Sequence, residues 1–213
     1  MKFLDALLGR TQPVKADLDA LFALPSAAIT LQAAAGLVSS GQAGVCYKPG
    51  SGRGFAATQE ELDEVLRVDS GERGSRVHEE VDSYGYRWVV VEHPLLEDLV
   101  NRAHMVNATL QDRGYGPQLL CSVFAFGEDA DPAGAGQVEL ESGGTDRAPA
   151  GAGGGSTYLV YLYKRGTFYP FAPRGHERRD QELELRLRGM LENELPVEED
   201  LTRWFPLWGL PLR

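Results

Sequence analysis

The residues able to do chemistry are dispersed along this chain. His78, His93, His104 and His176 never fall into a His-x-x-x-His spacing, and Cys46 and Cys121 stand 75 positions apart. No local metal-ligand cluster is therefore spelled out. No Gly-x-Ser-x-Gly elbow marks a nucleophile, and Cys121 could meet His104 only through the fold. Glu60, Glu61, Asp63 and Glu64, and later Glu198, Glu199 and Asp200, read as solvated acidic faces rather than a general acid/base pair. A Gly-Ala-Gly-Gly-Gly run at 151–155 superficially suggests a phosphate cradle. Such a cradle opens a helix, however, and Thr157–Tyr163 has the composition of a strand. The expectation is no catalytic residue, no metal and no cofactor: not an enzyme.

Three other features stand out. In the first ten residues Phe3 pairs with Leu7 and Leu4 with Leu8 at i,i+4, while Lys2, Asp5 and Arg10 take other positions. That pattern predicts a short amphipathic helix over 1–12, set off by Thr11-Gln-Pro-Val. The last fourteen residues hold Trp204, Phe205 and Trp208, and Pro206 and Pro211 forbid a continuous helix there. Wrapping over a sheet and forming an exposed aromatic site both fit that segment. Finally, Tyr161–Phe171 reads as a hairpin with Lys164 and Arg165 at its turn, beside Tyr163 and Tyr169. The candidate partner-binding residues are thus Phe3, Leu4, Leu7, Leu8, Lys164, Arg165, Tyr169, Trp204, Phe205 and Trp208.

The elements that must position these residues alternate between helix and strand. Asp17–Ala23 predicts a short helix stopped by Pro25, followed by strands at Ala27–Ala33 and Gly44–Lys48 around a Gly/Ser turn. Thr58-Gln-Glu-Glu61 has a capping-box spacing and predicts a helix ending near Gly71. Arg76–Asp82 and Tyr86–Glu92 form a hairpin pattern. Leu96, Leu99, Val100, Ala103, Val106 and Leu110 recur at helical spacing after Pro94, up to Gly114. Gln118–Phe126, Thr157–Lys164 and Thr167–Phe171 read as strands, with Pro170 assigning the last to a sheet edge. Asp180–Glu194 predicts a helix turned inward by Leu183, Leu187, Met190 and Leu191. Short turns between neighbouring strands favour antiparallel pairing. The predicted fold is α+β: a mostly antiparallel sheet with helices packed on one side.

Composition bounds the function further. Of 213 residues, 43 % are hydrophobic, enough for a sizeable core, and the formal net charge is −10. That sign argues against nucleic-acid partners. Half of it comes from residues 127–156, where six acidic residues face one arginine among nine glycines. This stretch is expected to be a disordered insertion in a single domain spanning 13–213. Cys46 and Cys121 lie in apolar runs and read as buried, reduced thiols. No apolar run approaches the ~20 residues of a membrane helix. The opening lacks a signal-peptide h-region. A cytoplasmic location is expected.

The same segments carry a resemblance. Phe3–Arg10, Leu21–Ala28, Gly116–Ser122, Leu159–Pro173 and Trp204–Gly209 resemble the PspA-associated PspAB family of actinobacteria over nearly the whole chain. Tyr-Lys-Arg-Gly-Thr-Phe-Tyr-Pro-Phe and Arg-Trp-Phe-Pro-Leu-Trp are the most specific parts. The resemblance implies a component of the phage-shock envelope-stress system working with PspA, a helical coiled-coil protein that coats the inner face of the membrane. It supplies no catalytic residue. The reading is a non-enzymatic adaptor or regulatory protein that binds PspA or another coiled-coil stress protein, with at most peripheral membrane contact. The order of elements is also similar to small dimeric secretion-chaperone domains, an analogy of fold alone. Two alternatives stay open: a chaperone-like domain binding unfolded or extended peptides at the Pro170 edge, or an enzyme holding an anion near Arg165 and Arg174; a homodimer stays open as well.

Overall fold

The computed structural model describes residues 16–50, 75–128 and 155–212. The expected helices over 1–12 and 58–70, and most of the 127–156 insertion, lie outside the described residues. Six strands form one antiparallel sheet: β1 (Leu37–Tyr47), β2 (Arg76–Val81), β3 (Arg87–Glu92), β4 (Leu119–Glu128), β5 (Thr157–Leu162) and β6 (Thr167–Phe171). Their spatial order is β2-β3-β1-β4-β5-β6. A small separate ribbon pairs β7 (Pro173–Arg174) with β8 (Arg178–Arg179). The helices are α1 (Leu24–Ala35), α2 (Leu96–Leu110) and α3 (Gln181–Leu191). The fold is α+β, as the pattern of strands and turns predicts.

Period-two alternation gives the sheet two buried faces. Ala43, Val45, Val89, Val91, Phe124, Phe126, Leu159 and Phe168 turn to one side, where Leu24, Ala27 and Leu31 of α1, Leu99, Ala103 and Val106 of α2, and Leu187 and Leu191 of α3 close the core. Asn107, fully buried on α2, ties that helix to β4. Its Nδ2 donates to Ala103 O at 2.7 Å and to Ser122 Oγ at 2.8 Å. The opposite face carries Cys46, Trp88, Val90, Cys121, Val123, Tyr158, Val160, Tyr169 and Phe171, and the C-terminal residues 204–212 lie across it. All three described helices therefore contribute to one layer, while an irregular strap covers the other face.

Two expectations fail in the first third of the chain. Ala27–Ala33 is not a strand but the middle of α1. Pro25 does not stop a helix either, because it occupies the first turn of α1, where a missing N–H costs nothing. The 3-10 turn Leu18–Ala23 runs directly into that helix. Together Leu18–Ala35 make 18 helical residues, long and apolar enough by length and composition to cross a membrane, with Leu18, Leu21, Leu24, Ala27 and Leu31 buried in the protein core. The strand expected at Gly44–Lys48 begins seven residues earlier, at Leu37, and contains a bulge between Ser39 and Ala43. Gly127 and Glu128, expected in the insertion, extend β4 opposite Val38 and Leu37.

The sheet edges are managed differently. Edge strand β2 carries Arg76, His78, Glu79 and Glu80, charges that discourage pairing with another chain. On β6, Phe168 N–H donates to Pro196 O at 2.8 Å and Phe168 O accepts from Glu198 N–H at 2.7 Å. Pro170, two residues on along the same outward side, has no N–H to offer.

Candidate functional site: an aromatic cleft on the outer sheet face

The strap is pinned at both ends. Trp204 is 5 % exposed, stacks on Tyr169 at 5.9 Å between ring centroids, and donates from Nε1 to Glu198 O at 3.0 Å. The Tyr169 hydroxyl donates to Phe205 O at 2.8 Å, and Arg179 Nη1 to Trp204 O at 2.5 Å. Further along, Trp208 meets the Phe171 ring edge-on at 5.3 Å. Leu212 is buried, and its carbonyl accepts from the Tyr158 hydroxyl at 3.2 Å. Gly44 lets the strap's end and Trp88 approach β1: a Cβ there would stand 3.1 Å from Trp88 Cε3 and 3.4 Å from Leu212 Cδ2.

Between these anchors the strap leaves a cleft of about 420 Å³. The β2–β3 hairpin supplies one wall through Asp82, Tyr84, Tyr86 and Trp88. Tyr169 and strap residues Phe205, Pro206, Leu207, Trp208 and Leu210 supply the other, over a floor of Cys46, Leu120, Cys121 and Leu162. The volume falls within the range of about 300–1,000 Å³ common for ligand sites, and the lining is overwhelmingly apolar and aromatic. Asp82 is the one carboxylate among the described lining residues. Its Oδ1 accepts from the N–H groups of Tyr84 and Tyr86 at 2.9 Å each, and Oδ2 accepts from Trp88 Nε1 at 3.0 Å. It fixes the hairpin turn and the Trp88 ring. At the mouth, Phe205 and Tyr84 expose 57 % and 65 % of their surface.

The expected partner-binding residues separate under this geometry. Phe205 and Trp208 line the cleft, Phe205 exposed and Trp208 half-buried. Trp204 and Tyr169, also named as partner-binding candidates, are enclosed and hydrogen-bonded so that they hold the strap, and Tyr169 lines the cleft as well. Lys164 and Arg165 do occupy an exposed turn, which starts just after cleft residue Leu162. Phe3, Leu4, Leu7 and Leu8 lie outside the described residues. The cleft itself was invisible in the sequence, since its walls come from segments about 46, 84, 121, 162 and 207 that only the sheet brings together.

A second polar centre lies beside it. Glu198, expected on a solvated face, is instead 3 % exposed. Oε2 accepts from Thr167 Oγ1 at 2.9 Å and Arg165 Nε at 3.3 Å, while Oε1 accepts from Asp200 N–H at 3.2 Å and Arg203 Nη1 at 3.3 Å. Burial pushes its carboxyl up, but the Thr167 hydroxyl, the Asp200 N–H and the Arg165 guanidinium outweigh that and hold it below the usual carboxylate value. Arg174 is likewise paired, with Asp180 Oδ2 at 2.5 Å from its Nη2. The two arginines proposed for an anion site thus each face a carboxylate, and neither lines the cleft. The strand-addition alternative meets a similar obstacle, since Pro196 and Glu198 already occupy the outward hydrogen bonds of Phe168.

Fold and site together define an α+β protein with an aromatic-lined cleft on its outer sheet face. A family model for PspAB, PspA associated protein B, matches residues 1–212, and the chain belongs to that family. No curated protein and no solved structure matches it; the likeness to secretion chaperones therefore rests on element order alone.

Proposed function

We propose that this protein is a non-enzymatic partner of PspA that acts by protein–protein interaction in the envelope-stress response. The docking site is the cleft between the β2–β3 hairpin and the strap. The supporting observation is the cleft's construction: an apolar hollow of about 420 Å³ with Phe205 and Tyr84 exposed at its mouth. Such a hollow accepts bulky apolar side chains from an amphipathic helix, the recognition mode a coiled-coil partner can supply. The one carboxylate among the described lining residues is spent on the hairpin turn, which leaves that lining suited to binding rather than to proton transfer. Lys164, in the exposed turn that follows cleft residue Leu162, complements acidic residues flanking that helix, while Arg165 is held by Glu198. Phe3, Leu4, Leu7 and Leu8 form a second contact, and the work is done in the cytoplasm at the inner face of the membrane.

Affinity of purified PspA for the full chain tests the reading. Phe205→Ala and Tyr84→Ala should each weaken binding about 5- to 30-fold, the effect of losing about 1–2 kcal/mol at an aromatic anchor. Ile29→Ser, on an exposed position of α1 in the helical layer, should leave it within about twofold. Absence of any complex with the parent protein rules out the partnership. Equal affinity of the parent and Phe205→Ala rules out the cleft as its site.

A further inference from the structure

The floor of the cleft holds two thiols facing each other across adjacent strands. Cys46 of β1 and Cys121 of β4 are direct partners in the antiparallel register. Both side chains point to the strap face, 3 % and 5 % exposed, both are free thiols, and both line the cleft. The backbone fixes their spacing. Leu120 O accepts from Tyr163 N–H on the β5 side, at 3.1 Å, so the next residue turns its N–H and C=O toward β1. Cys46 and Cys121 therefore form a hydrogen-bonded pair, in which Cα atoms stand about 5.5 Å apart. That separation lies inside the roughly 4.4–6.8 Å that a disulfide spans, while the Cβ atoms of such a pair, about 5.5 Å apart, must draw about 1 Å closer to reach the roughly 3.5–4.5 Å of a disulfide. The register irregularity beginning at Cys46–Tyr47 adds twist at the pair.

We propose that Cys46 and Cys121 are a reversible dithiol–disulfide site that exchanges with small, uncharged disulfides entering the cleft. This goes beyond the docking of a partner and does not depend on it. The thiolate of Cys121 attacks one sulfur of the small disulfide, forming a mixed disulfide and releasing one thiolate, which takes up a proton. Cys46 then loses its proton and attacks Cys121 Sγ, closing the protein disulfide and expelling the second small thiol. The protein dithiol is oxidised by two electrons, and the small disulfide is reduced to two thiols. Contact with Cys121 and burial push the Cys46 thiol up, with the Asp82 carboxylate adding to the effect, and the exchange balances equally with the two sulfurs in exchanged roles. The apolar walls favour an uncharged oxidant over an anionic one, since a buried charge would have no partner there.

Hydroxyethyl disulfide is a suitable probe for the native full-length chain. Intact mass should fall by about 2 Da, the loss of two hydrogens, and both thiols should escape alkylation when the product is then unfolded. Dithiothreitol should restore both. Cys46→Ser and Cys121→Ser should each stop at a single hydroxyethyl adduct on the remaining cysteine. The disulfide must also form faster than the Val45 and Val123 amides exchange with solvent, which reports opening of the sheet. Two unreacted thiols, adducts on both cysteines without ring closure, intermolecular dimers as the main product, or closure no faster than amide exchange would each overturn the proposal.

Discussion

Glu198 illustrates how much a single side chain's role depends on tertiary partners. In the sequence it opens an acidic run, Glu198-Glu-Asp200, with every mark of a solvated patch. In the fold its carboxylate is the hub joining the β5–β6 turn, through Arg165 and Thr167, to the start of the strap, through Asp200 N–H and Arg203. Charge-assisted hydrogen bonds of this kind contribute about 1.5–3 kcal/mol each where they are buried, less at Arg165 and Arg203, which are partly exposed. Glu198→Gln keeps the shape but removes the charge, and should destabilise the protein by about 1–3 kcal/mol in urea titration at pH ~7. The sign with pH follows from its lowered pKa. Stability from ionised Glu198 is fully present above its ordinary value of 4.5 and is lost as pH falls through the lower folded value. The parent and Glu198→Gln should therefore converge in stability as pH falls below 4.5 and through that lower folded value, and a constant difference at all pH values would contradict this account.

The same dependence on context decides what was legible at the scale of elements. Arg76–Asp82 with Tyr86–Glu92, the long helix after Pro94, and the Arg165–Gly166 turn could all be read directly, because each pairs a strong period with a local turn or stop signal. Ala27–Ala33 misled because Ile29 and Thr30 are β-branched and apolar Ile29 and Leu31 alternate with polar Thr30 and Gln32. Helix formation there is decided by packing of Leu24, Ala27 and Leu31 against the sheet. Ser39-Ser-Gly41 imitated a turn, whereas Gly41, at φ +76°, sits in a bulge within β1, and its carbonyl accepts from His93 N–H at 3.0 Å. The strap was half legible: its prolines announced an irregular segment, and its tryptophans announced burial or contact. Which aromatic does which is a matter of register on the sheet. That distinction makes a paired prediction. Trp204→Ala removes the enclosed post and should cost about 3–5 kcal/mol in urea unfolding. Phe205→Ala, one residue on but exposed, should stay within about 0.5 kcal/mol of the parent. Similar costs for the two would mean that the strap does not sit on the sheet as described.

At the scale of the whole molecule, the antiparallel β4–β5 pair raises the question of what the long glycine-rich connection contributes. Phe126 lies opposite Thr157, and the register runs without interruption back to Cys121 opposite Leu162. Removing residues 129–154 leaves Gly127, Glu128, Gly155 and Ser156 between Phe126 and Thr157, and hairpin loops of about two to five residues are common. Shortening a connection from about thirty residues to about four lowers the loop-closure cost by roughly 2 kcal/mol. Against that stands the loss of the pairings of Gly127 with Val38 and Glu128 with Leu37 at the end of β4. The two terms oppose each other, so the shortened chain should fold with a melting temperature within a few degrees of the parent. It also sheds five of the six acidic residues of the 127–156 stretch together with Arg147, and so loses much of the chain's excess negative charge. If the cleft is the docking site, PspA should bind the shortened chain as tightly as the parent, because no residue lining the cleft is altered. An insoluble or unfolded product would show that the connection is needed for folding. A folded product that no longer binds PspA would move the docking site from the cleft to the deleted residues.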